Sequence, residues 1–223
     1  MITEINRDTF GEVIGKAKKY GKRDKNAIAD WLWDFLKTIP PEQIENFHII
    51  MRAYIELADK PGLRIASDIM AGSCSDWIFR DFRAWVIAQG KSVYLAALKD
   101  PDTLAKVRPF GECIFERLNY TAAGVYEEIT GQDIDDMKNA YQYRIIKAKL
   151  QRDIEYGEGI NIQKEWQEYP LVVPKLYKKY MELEKRYEDA PDLLRFTDNV
   201  CLSVKSMPVS IKKGKKLEDG RER

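Results

Sequence analysis

Apolar positions recur at three- and four-residue intervals along most of the chain, and nowhere does a run of alternating apolar and polar residues persist as it would in a half-buried strand. The spacing predicts a first helix with Phe10, Val13, Ile14 and Ala17 on one face, capped by Asp8. A second helix, capped by Asp24, carries Ile28, Trp31, Leu32, Phe35 and Leu36 and stops at "IPP". Pro41 suits the first turn of a third helix, whose stripe is Ile44, Phe47, His48, Met51, Tyr54, Ile55 and Ala58. After a short segment over residues 63–70, "SCSDWIFRDFRAWVIAQG" predicts a helix from about Cys74 to Gln89, with Gly90 as its stop. Ser73 or Ser75 can cap it, and Asp76 and Arg80 stand in the favourable order for an i,i+4 ion pair.

Further on, Ile114, Leu118, Ala122, Val125 and Ile129 share a helix face that Gly131 can close. Asp133 can cap the next helix, with Ile134, Met137, Tyr141, Ile145 and Ala148 as its apolar side. Leu176, Tyr180, Leu183 and Tyr187 face one way on a later helix, and a last helical piece covers about residues 192–204. The predicted class is all-α, a compact multi-helix bundle of roughly eight helices with short connections. "EYGEGINIQKEW" is linker-like, which divides the chain into a helical core over 1–155, a helical extension packed on it over 156–204, and a disordered basic tail over 205–223.

Composition narrows the function classes. The 223 residues include 44% hydrophobic and 33% charged ones, enough for one sizeable core without a disulfide or metal staple. A net charge of +1 points to neither nucleic acid nor membrane, and no apolar run is long enough to span a bilayer. The basic tail is the one place where weak nucleic-acid contact is expected, through phosphate attraction that needs no fold. Three unpatterned cysteines, Cys74, Cys113 and Cys201, read as reduced thiols of a cytoplasmic protein. There is no phosphate loop, dinucleotide fingerprint or zinc-ligand spacing, so no cofactor or metal is expected.

The chemistry that remains gathers around Cys74, Ser75 and Asp76. A thiol in the first turn of a helix feels the dipole, which favours thiolate. Catalysis would also need a base. The single histidine, His48, lies on the stripe of the third helix, where it most simply serves the core. Arg83 falls between Phe82 and Trp85, so its stem is expected to lie along aromatic surface and its head to be buried against backbone carbonyls or a carboxylate, with Asp76, Glu112 and Glu116 as candidates.

The block "CSDWIFRDFRAWVIAQGKSVYLAALKDPDTLA" resembles the signature of a bacterial family catalogued as domain of unknown function forty-two forty. The likeness rests on Cys74, Ser75, Asp76, Phe79, Phe82, Arg83, Trp85, Gln89, Gly90, Asp100, Pro101 and Asp102. Flanking support comes from "IPPEQIENF", "GECIFERLNYTAAGVYEEITG" and "EWQEYPLVVPKLYKKY". Where that family commonly continues with a second acid and a glycine, this chain has Trp77 and Ile78. The resemblance implies a helical fold and no established activity; relatives that carry the domain beside other modules imply a regulatory or interaction role. The expectation is therefore a non-catalytic module that binds a protein or a regulatory ligand. The alternative is an enzyme with its site at Cys74, Ser75, Asp76, Arg83 and Glu112.

Overall fold

Asn6, not Asp8, caps the first helix: its side chain accepts from the backbone of Asp8 and Thr9, while the Thr9 hydroxyl accepts from the Asn6 N–H at 2.8 Å. The two residues close a reciprocal box that Asp8, already inside the first turn, has no way to form. This is seen in a computed structural model that describes residues 2–22, 24–108, 112–134, 139–157, 159–160 and 166–189, the side chains of 166, 184 and 186–189 excepted. The expected helical piece over 192–204, the tail over 205–223, Cys201, Met137 and the side chain of Tyr187 lie outside the described residues.

The helices are α1 (Arg7–Gly21), α2 (Lys25–Leu36), α3 (Pro41–Leu57), α4 (Pro61–Ala71), α5 (Asp76–Ala88), α6 (Lys91–Lys99), α7 (Glu116–Thr130), α8 (Ala140–Gln151), the single turn α9 (Tyr169–Val172) and α10 (Pro174–Asp189). A 3-10 segment over Pro101–Lys106 follows α6. No strand occurs among the described residues, and the fold is all-α. Asp24 caps α2 and Pro41 opens α3, as the sequence implies. Gly21 lets α1 run into α2, because a Cβ there would lie 2.6 Å from the Ile28 backbone nitrogen.

One core joins the helices. Its centre is α5, buried from Asp81 through Ala88, with α1, α3, α4, α6 and α7 packed around it. This exceeds the single stripe that periodicity predicts, since a helix surrounded by neighbours buries all its faces. On α8 the buried side is not the predicted one. Leu150 is buried and Tyr143 and Ile146 pack against the core, whereas Tyr141, Ile145 and Ala148 are exposed. The helix has apolar residues on two sides, and its contact with α3 selects one of them.

The Asp-Pro-Asp part of the signature makes a structural joint. Asp100 accepts from the Asp102 N–H and caps the 3-10 segment. Asp102, itself buried, accepts from the Leu176 N–H at 2.8 Å in the first turn of α10. The Lys179 ammonium donates to the carbonyls of Ala105 and Val107, both at 2.8 Å. A carboxylate at one helix start and an ammonium on segment-end carbonyls thus pin α10 onto the region after α6.

Candidate functional site

Gly72, in the left-handed conformation, ends α4 and turns the chain towards α5. The Ser67 hydroxyl donates to the Ser73 carbonyl, and the Ser75 N–H donates to the Ser73 hydroxyl. Ser75 is the N-cap residue, and its carbonyl accepts from Phe79, but its hydroxyl makes no capping bond. Ser73 does not cap α5 either; the helix begins at Asp76, so Cys74 stands before the helical turn expected to activate it. The thiol is half-buried. Burial and the Asp68 carboxylate push it above its ordinary value, against a smaller opposite pull from Arg64. The effect is the reverse of the dipole activation expected from the sequence.

Asp76 is exposed, and its partner is Arg64 of α4, at 3.2 Å, instead of Arg80. Arg64 also grips Asp59, in the α3–α4 connection, through Nε at 3.1 Å and Nη2 at 3.2 Å. Arg83 lies below, 8% exposed, with Nε donating to the Phe79 carbonyl at 3.2 Å and Nη1 to the Ile55 carbonyl at 2.9 Å. Its carboxylate partner is Asp59, 3.6 Å away, and none of Asp76, Glu112 and Glu116 fills that place. Both guanidiniums lie 4.4 Å from the centre of the Phe79 ring. A cation over a desolvated aromatic face is stabilised by the ring's negative quadrupole.

Ile55 shows why Arg83 is placed here. At the end of α3 the Asp59 N–H turns back to Glu56, and the Ile55 carbonyl takes its bond from Arg83 instead. Arg83 therefore closes the C-terminus of α3 from within α5, a favourable place for a cation. The structure thus links Asp76 and Arg83 through Arg64 and Asp59, while Cys74 feels the Arg64 charge without a bond to it and Ser75 bonds within the turn, to Ser73. Glu112 belongs elsewhere: it is exposed and 4.0 Å from Lys25, whose ammonium donates to the Ile114 carbonyl at 2.9 Å. His48 is half-buried on α3. Among the described residues, no group of three or more His, Cys, Asp or Glu side chains is placed to hold a metal ion.

Two features next to this network escape sequence reading. Asp81 is buried, its carboxylate accepts from Asn119 at 2.7 Å, and its carbonyl accepts from Phe115, which ties α5 to α7. Burial raises its pKa, with Arg80 and Asn119 opposing and Glu116 assisting. The folded state therefore holds this proton more tightly than the unfolded chain does. The group's contribution to stability is present below its ordinary pKa of about 4 and is lost as pH rises through the raised value. Asp81→Asn should flatten that part of the stability profile and be at least as stable as the parent at pH 7. Urea midpoints from pH 4 to 7 that fall in parallel for both proteins would assign the slope to other groups.

The second feature is on the surface. Trp77 is 71% exposed and Tyr120, on α7, is 47% exposed. Arg80 lies between them, its guanidinium carbon 5.0 Å from the Trp77 ring and 5.2 Å from the Tyr120 ring, with Nη2 donating to the Tyr120 hydroxyl. Trp77 is one of the two residues where the chain departs from the pattern it resembles. Periodicity places it off the core face of α5 but does not reveal that Tyr120 arrives beside it.

Asp76 and Arg83 of the resembling block are joined through Arg64 and Asp59, whereas its Asp-Pro-Asp part ties α10 to the segment after α6. No curated protein and no solved structure gives a significant match to the chain. The family model described as Protein of unknown function (DUF4240) matches residues 5–128, more than half of the chain. The match takes in α1 through most of α7, and with them the whole Arg64–Asp59–Arg83 network. The protein belongs to the DUF4240 family.

Proposed function

We propose that the protein is a non-catalytic module of the bacterial cytoplasm, a protein-interaction or regulatory ligand-binding domain whose docking face is Trp77, Arg80 and Tyr120. The observation that carries this reading is the held stack of two exposed aromatics around one arginine. Trp, Tyr and Arg are the residues most enriched at binding hot spots. Holding them in place before contact lowers the ordering cost of association. The Cys74 thiol supports an enzyme poorly, because burial and Asp68 both favour its protonated form. The tail, through which weak nucleic-acid contact is expected, lies outside the described residues.

The test uses the full chain with a photo-crosslinking benzophenone side chain at position 116, exposed one turn before Tyr120 on α7, so that Trp77 is kept. A specific adduct in cell extract is expected, lost when Tyr120 or Arg80 is changed to alanine. Trp77→Ala should shift stability by no more than about 0.5–1 kcal/mol, since only an exposed cation–π contact is removed. An adduct pattern unchanged by Tyr120→Ala and Arg80→Ala, or no adduct at all, would remove the basis for this reading.

A further inference from the structure

The chain entering α1, the middle of α3 and α8 with the residues just after it line a half-open cleft of about 330 Å³. That volume lies within the range of small-molecule sites, roughly 300–1,000 Å³. Its apolar lining is Ile5, Ile50, Ile146 and Leu150. Three cations, Arg7, Lys149 and Arg152, face it against a single carboxylate, Asp153. Arg7 is held by two carboxylates: its Nη1 donates to Asp153 at 2.9 Å and its Nε to the neighbouring Asp8 at 3.3 Å. The charge on Lys149 and Arg152 is therefore not offset by any other carboxylate of the lining. The walls are tied together independently of any occupant. The Ile5 N–H donates to Gln43 at 2.7 Å, and Gln142 donates to Asn46 at 2.7 Å, joining α8 to α3. The cleft thus combines an apolar floor, walls tied by hydrogen bonds and two rim cations, Lys149 and Arg152, that no second carboxylate of the lining faces.

We propose that this cleft binds a small amphipathic organic anion. The carboxylate or phosphate headgroup lies on Lys149 and Arg152, and a short apolar body lies on Ile50, Ile146 and Leu150. Burying apolar surface supplies the drive, and the two cations exclude neutral and cationic analogues. The site is distinct from the Trp77 face and does not depend on it.

Calorimetric titration of the full chain with octanoate, and separately with octyl phosphate, both below micellar concentration, tests the assignment. One-to-one binding is expected, weakening as salt is raised, and the tighter of the two probes identifies the preferred headgroup. The Lys149→Glu, Arg152→Glu double variant, altered only at exposed positions, should keep the parental melting temperature and lose at least tenfold in affinity. Ile146→Trp, which fills the cleft, should abolish binding of both probes. The proposal is overturned if neither anion binds, if octylammonium or octan-1-ol binds as well as the anions do, or if the charge-reversed variant binds unchanged.

Discussion

Trp85→Ala is expected to melt about 8–16 °C below the parent, the largest loss of any single change considered for this chain. Trp85 is wholly buried near the middle of α5, the helix against which α1, α3, α4, α6 and α7 all pack. Its ring stacks on that of Phe82, with centroids 5.9 Å apart and planes 21° apart. Cutting a buried Trp back to Ala removes the transfer free energy of the ring and leaves a void whose walls belong to several helices, so collapse is difficult. The expected cost is about 4 kcal/mol. For a domain of this size each kcal/mol shifts the midpoint by about 2–4 °C. Thermal and urea unfolding followed by circular dichroism measure it directly. Trp77, eight residues earlier on the same helix and exposed, is the internal control. Equal losses at the two positions would show that α5 is not the centre of the core.

Arg83→Met should cost about 2 kcal/mol, or about 4–8 °C, and the reason differs from the one its neighbours in sequence suggest. Removing one member of a wholly buried ion pair costs about 3–5 kcal/mol, because the other charge is stranded. Here the partner carboxylate, Asp59, is 43% exposed and keeps two bonds from Arg64, so it is not stranded. What is lost is the donor to the Ile55 carbonyl at the end of α3, together with the Nε bond to the Phe79 carbonyl within α5. Methionine retains part of the contact with Phe79, which limits the packing loss. Hydrogen exchange should therefore rise first in the last turn of α3 and in the α3–α4 connection. A loss above about 4 kcal/mol would imply a stranded charge after all, and a variant as stable as the parent would imply that the Ile55 carbonyl is satisfied by water.

Much of the architecture is legible in the sequence because helix periodicity, caps and stops are local. Asp24 before α2, Pro41 at the start of α3 and the left-handed Gly131 after α7 are each dictated by backbone hydrogen bonding or sterics within a few residues. The burial of Arg83 and its bonds to backbone carbonyls are also legible, because an arginine flanked by Phe82 and Trp85 must cover aromatic surface and still satisfy its donors. Even local reasoning errs where two residues compete, as Asn6 and Asp8 do at the start of α1. There the deciding fact is the reciprocal bond with Thr9.

Only the tertiary structure decided the rest. The sequence of α8 offers two apolar sides, and which one is buried depends on where α3 lies. Arg83 could be matched with several carboxylates in the sequence, yet the one that reaches it, Asp59, sits in a connection twenty-four residues earlier. Asp76 pairs with Arg64 instead of its own helical neighbour Arg80, because Arg80 is drawn between Trp77 and Tyr120. The thiol of Cys74 is raised by an environment that includes Asp68, a residue of α4. By itself the sequence determined the all-α class, several of the helices with caps such as Asp24 and stops such as Gly131, and the membership of the family, since each depends on short-range pattern. It left open the partners of every charged side chain at the candidate site, because Coulomb attraction and burial act between groups that only the packing of distant helices brings within a few ångströms.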